Sequence, residues 1–158
     1  MNSSNFLSLW SLLKKEIFRF LKVGTQTIIG PAVSSLLFLA IFVLALGSSI
    51  EDIHNIPFAN FIAPGLIMMT ILQNSFSNPA SSIGQAKFQG NIVDVLMAPL
   101  GNFELTIGYL GGSIARGLVC GFVTTLGIAI FIEIQIFSFI ALFFYAVMGS
   151  LMMGALGI

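Results

Sequence analysis

Four groups of side chains in this sequence are of types that can do chemistry. Glu51, Asp52 and His54 lie close enough in the chain to share a proton or hold a cation. Gln73 and Asn74 place two amides side by side, Arg116 is a permanent cation, and Cys120 is the single thiol. None forms a strong catalytic pattern. A membrane enzyme would gather acids, histidines or metal ligands at one interface, and one histidine beside two acids falls short of that. Cys120 sits inside an apolar run, where one thiol can build neither a disulfide framework nor a metal cluster. The G-x-x-x-x-G-K-[ST] phosphate loop is absent from the sequence, so any ATP hydrolysis linked to this protein must come from another chain.

The elements that must position these residues are set by composition. Hydrophobic residues make up 57% of the chain and charged residues 8%, with a mean hydropathy of +1.03. An ordinary soluble domain carries about 25% charged residues, so this is an integral membrane protein. Uncharged runs cover residues 23–50, 53–86 apart from His54, 117–132 and 134–158. About 20 apolar residues suffice for a helix to cross a ~30 Å hydrocarbon core. Barrel strands would instead alternate in polarity. The formal net charge is zero, which gives no case for nucleic-acid binding. The expected fold is therefore all-α: one polytopic domain over residues 1–158, with an interfacial amphipathic helix at 5–22 and membrane spans at 27–46, 58–78, 105–131 and 137–158.

Residues 5–22 read as amphipathic because Phe6, Leu9, Trp10, Leu13, Ile17, Phe20 and Leu21 recur at three- and four-residue steps. Lys14, Lys15, Glu16, Arg19 and Lys22 take mostly other directions, which suits a helix in the headgroup plane. After Lys22 the next basic residue is Lys87, so the positive-inside rule predicts a cytoplasmic N-terminus. It puts the acidic loop with Glu51, Asp52 and His54 outside, and the polar stretch 81–104 inside. Glu133 and Gln135 then make a second, short external turn.

Within that inner stretch Gly90 frees the chain to turn, and Asn91 with Asp94 makes a helix N-terminal pattern. Ile92, Val93, Leu96 and Met97 give the short helix an apolar surface and Pro99 ends it. So short a helix must dock on something to persist. Asn102 reads as the cap of the next span, with Glu104 in its first turn. Gly108 with Gly112, and Gly117 with Gly121, have the spacing that lets helix backbones approach closely. Pro64 and Gly65 invite a kink in the second span. In its inner half, Gln73 and Asn74 are expensive in lipid unless they face protein or water, which makes them candidates for a transport path or for helix contact. Arg116 costs at least a few kcal/mol inside a span; it either lines a path, snorkels, or pairs with a carboxylate from another chain.

Three strings carry a family resemblance: GPAVSSLLFLAIFVLALG around Pro31, FIAPGLIMMTILQNSF from Phe61 to Phe76, and GNIVDVLMAPLGNFELTIGYLGGSIARGLVCG from Gly90 to Gly121. Together they resemble the membrane component of ABC-2 type transporters, the bacterial exporter permeases. The resemblance implies an interfacial N-terminal helix, six membrane helices, and a coupling helix between the second and third that docks on a cytoplasmic ABC ATPase. It places that element on Gly90, Asn91, Ile92, Val93, Asp94, Leu96, Met97 and Pro99. It also implies a second permease subunit, as homodimer or heterodimer, a site in the bacterial inner membrane, and ATP and Mg bound by the ATPase, with no cofactor in this chain. The family's fifth and sixth helices would follow Ile158, so the sequence reads as C-terminally truncated. A non-transporting membrane scaffold or assembly protein is the alternative, and it would account for the glycine-rich packing without a coupling helix.

Overall fold

The structure, a computed structural model, describes residues 3–46, 56–93, 97, 101–132 and 138–158. Glu51, Asp52, His54, Asp94, Leu96, Pro99, Glu133 and Gln135 lie outside the described residues. The elements are α1 (Ser3–Lys22), a π-helical turn (Thr25–Ile29), α2 (Gly30–Leu46), α3 (Phe58–Phe88), α4 (Asn102–Ala129) and α5 (Phe139–Leu156). Among the described residues, three helical stretches are long and apolar enough to cross a membrane: Thr25–Ala45, Asn102–Ala129 and Phe139–Leu156. The four spans expected from sequence thus become three by that measure. α3 has the length, at 31 residues, but Gln73, Asn74, Ser75, Ser77, Asn78, Ser81 and Ser82 make its second half polar.

α4 is the organising element, packing against α1, the π-helical turn, α2, α3 and α5. It is less apolar than the Thr25–Ala45 stretch, yet a much larger share of it is buried. The less apolar helix is therefore the one surrounded by protein. Contacts advance together along the N-terminal rod and α4: Leu12 lies over Gly108, Glu16 over Gly112, the Thr27 carbonyl at Cys120, and Leu36 over Gly127. Residues 3–46 accordingly run alongside α4 in the same direction.

The junction between α1 and α2 follows from Pro31. A proline has no N–H for the carbonyl four residues back, which is Thr27 C=O. Cys120 Sγ donates to that oxygen instead, at 3.3 Å, and Thr27 Oγ1 donates to the Phe20 and Val23 carbonyls at 2.8 and 3.0 Å. Cys120 is buried and free, and its role here is to satisfy a broken helix ladder.

α3 runs ten residues beyond the boundary expected at Asn78, passing through Pro64 and Pro79 without interruption. Pro79 is fully buried and packs near Gly157. The turns after it are held by bonds from α1, where Arg19 Nη2 donates to the Asn78 carbonyl at 2.8 Å and Ser82 Oγ donates to Glu16 Oε1 at 2.6 Å. Residues 81–88 are thus helix rather than loop. The cap of α4 also moves by one residue: Gly101 occupies it, and its N–H donates to Glu104 Oε2 at 2.9 Å, leaving Asn102 as the first helical residue.

At the end of the bundle near Leu46 and Phe58, the core is apolar: Leu39, Ala63, Leu66 and Ile128, with Leu36, Val43, Ile62 and Ile67 against them. Towards the other end glycines replace bulk. A Cβ on Gly117 would overlap Ser75 Oγ on α3, meet Ser150 Oγ on α5 at 3.0 Å and the Ile71 carbonyl oxygen at 3.1 Å. Gly117→Val should therefore cost about 1–3 kcal/mol through overpacking, read as a lowered unfolding temperature in detergent. Gly84→Ala, where nothing lies within 4 Å, should instead stabilise α3 by roughly 0.5–1 kcal/mol.

Candidate functional site

Two polar sites are built along α3, one turn apart. The first is a cleft of about 400 Å³ between α2, α3 and α4. Gln26, Ser34 and Ser35 line it from the N-terminal rod, Thr70, Gln73, Asn74 and Ser77 from α3, and Arg116 from α4. Thr70 Oγ1 donates to the Leu66 carbonyl at 2.9 Å, so Ser35 Oγ is the donor in the 2.6 Å bond that joins α2 to α3. Asn74 Nδ2 donates to the Thr70 carbonyl at 2.9 Å, which aims its Oδ1 at Arg116 Nη2, 3.3 Å away.

Arg116 is 8% exposed and lies within one residue of the middle of α4. Gln73, Asn74 and Arg116, singled out in the sequence, thus share one cleft. The two amides part company within it: Asn74 is buried at 4% exposure, whereas Gln73 is exposed at the mouth. Arg116 neither snorkels nor meets a carboxylate among the described residues.

The second site joins α1 to α3. Glu16, fully buried, accepts from Ser82 Oγ, from Arg19 Nη2 at 3.1 Å and from Asn78 Nδ2 at 3.4 Å. Arg19 also reaches Ser81 Oγ at 3.2 Å and Asn78 Oδ1 at 3.2 Å. Beneath Glu16 lies Gly112, where a Cβ would come within 2.9 Å of both Glu16 Cβ and Asn78 Nδ2. The sequence reading placed Glu16 and Arg19 off the apolar stripe; in the structure Leu12, Glu16 and Phe20 are the buried line of α1, while Trp10 is 61% exposed. The available signal was that four-residue spacing, which puts Glu16 between two apolar neighbours on one face.

At the connection between α3 and α4, Gly90 adopts φ +73°, the left-handed region that glycine tolerates. Asn91 follows it, and the bond its side chain makes among the described residues is a donation to Gln89 Oε1 at 3.4 Å. Ile92 and Val93 are helical, and Met97 N donates to the Val93 carbonyl at 2.8 Å, one α-turn on. Phe88, Val93 and Met97 are exposed at 96%, 55% and 79%.

Glu16→Ala removes the carboxylate and leaves Arg19 and Asn78 facing it. Taking one partner from a buried pair costs roughly 3–5 kcal/mol, and the lower figure applies because Arg19 keeps partial exposure. Removing both charges in Glu16→Ala/Arg19→Ala should cost less than the sum of the single changes, as measured by a double-mutant unfolding cycle.

A model of the ABC-2 type transporter family matches residues 8–158. The inner membrane transport permease YadH of Escherichia coli strain K12 is 39% identical over 135 residues, covering 85% of this chain and 53% of that protein. The YadH permeases of Escherichia coli O157:H7 and Shigella flexneri give the same figures. The chain spans about half the length of these relatives. No solved structure matches the chain.

Proposed function

The chain belongs to the ABC-2 type transporter family, and on that premise we propose that it is a membrane permease subunit of an ATP-binding cassette exporter. A separate cytoplasmic ATPase binds ATP and Mg and supplies the driving force. A second permease subunit, identical or related, completes the membrane unit. The chain resides in the bacterial inner membrane, as the name of its YadH relative suggests, with the N-terminus cytoplasmic, α1 at the interface and α3 as a further span.

The observation that carries this reading is the apolar turn left open after Gly90. Val93 and Met97 stand one turn apart with their side chains exposed, on a connection that the charge pattern places in the cytoplasm. An apolar turn of this kind in water favours a partner surface. Closure of an ATPase dimer would displace residues 90–100 and, through Gly90, the rigid α3 and α4 on either side. Gln73, Asn74 and Arg116 line the path whose access this movement switches.

Val93→Asp with Met97→Asp puts two carboxylates into the docking surface. Co-purification with a co-expressed cognate ATPase should fall at least about tenfold, with membrane insertion unchanged. Capture at the wild-type level would refute the coupling assignment, and failure of the unaltered chain to capture any ATPase would favour the scaffold alternative.

A further inference from the structure

Arg116 carries a full charge at mid-span and is poorly compensated. Its contact at Nη2 is a single 3.3 Å bond to a neutral amide, and Nε has no partner. Glu16 and Glu104 are the acids among the described residues, and each is committed elsewhere: Glu16 to Ser82 and Arg19, Glu104 to the Gly101 N–H. A guanidinium in hydrocarbon costs at least a few kcal/mol without a counter-charge. Its planar fork matches the oxygens of a carboxylate or phosphate.

The cleft around it has the matching character. Ser34 and Gln73 add neutral polar groups to its lining, while Phe38 and Met69 form apolar wall in the same space. At about 400 Å³ it falls within the ~300–1,000 Å³ range of small-molecule sites and exceeds what a bare anion needs. We propose that this cleft binds the anionic headgroup of an amphiphile, a phosphate or carboxylate, with Arg116 as its counter-charge and the apolar tail lying along Phe38 and Met69. The proposal rests on the permease reading in making that amphiphile the cargo; binding itself is measurable without transport.

The test is equilibrium binding of radiolabelled dodecyl phosphate to the purified chain in dodecyl maltoside, with inorganic phosphate and dodecyltrimethylammonium as competitors. Arg116→Gln should weaken binding at least tenfold, and Arg116→Lys should retain most of it. Ser34→Leu, which fills the cleft and keeps the charge, should also weaken binding. Unlabelled dodecyl phosphate should displace the label, whereas the cationic amphiphile should not. Wild-type affinity in Arg116→Gln, or displacement by inorganic phosphate at equal concentration, overturns the proposal. If Arg116→Gln lacks the wild-type circular dichroism spectrum, the Ser34→Leu result decides, and undiminished binding there overturns the proposal. ATPase capture by the same variants is expected to be normal, so loss of anion binding and loss of the permease assignment are separate outcomes.

Discussion

Hydrocarbon offers no partner to a polar group, and in this chain that constraint falls hardest on α4. Arg116, Ser113 and Thr124 are all buried on it. The two hydroxyls solve the problem locally: Ser113 donates to the Tyr109 carbonyl at 3.1 Å and Thr124 to the Cys120 carbonyl at 2.8 Å. Arg116 cannot, because its charged group projects beyond its own backbone, and it draws on Asn74 of α3. At the next residue, Gly117, α3, α4 and α5 approach one another closely. The other helices take their places around this helix because it cannot be left bare.

α3 links the two polar sites because its polar residues share a face. Asn74, Asn78 and Ser82 fall at four-residue steps, so the amide on Arg116 stands one turn from the amide on Glu16 and Arg19. Phe88, the last residue of α3, stands within two turns of the clamp on α1 and within four of the Arg116 cleft. The clamp on α1 and the Arg116 cleft are thus joined by one continuous helix.

Much of this was legible in the sequence wherever a single local rule decided the matter. The uncharged runs located the helices; Gly90 marked a turn that needs positive φ; and the glycine pairs on α4 marked close contacts, which the structure places under Leu12, Glu16, Ser75 and Ile71. Arg116, Gln73 and Asn74 were visible as residues that lipid does not tolerate free. What escaped was set by partners remote in sequence. The span expected to end at Asn78 continues as helix to Phe88, with Arg19 bonded to the Asn78 carbonyl and Ser82 to Glu16. Glu16 reads as a headgroup residue until Ser82 and Asn78 are placed over it. Cys120 reads as inert until Pro31 leaves the Thr27 carbonyl without its donor.

The clamp between α1 and α3 also sets an order of events in biogenesis. Glu16 finds its partners 62 and 66 residues further along the chain. At a synthesis rate of ~5–20 residues per second, it emerges about 3–13 seconds before them. During that interval α1 has nothing into which a carboxylate could be buried, and Trp10, Lys14 and Lys15 suit it to wait on the membrane surface. The seat of Glu16 is complete only when both α3 and α4 have followed α1, since Ser82 and Asn78 come from the one and Gly112 from the other. Docking of α1 is thus a late, checkable milestone of assembly rather than its starting point.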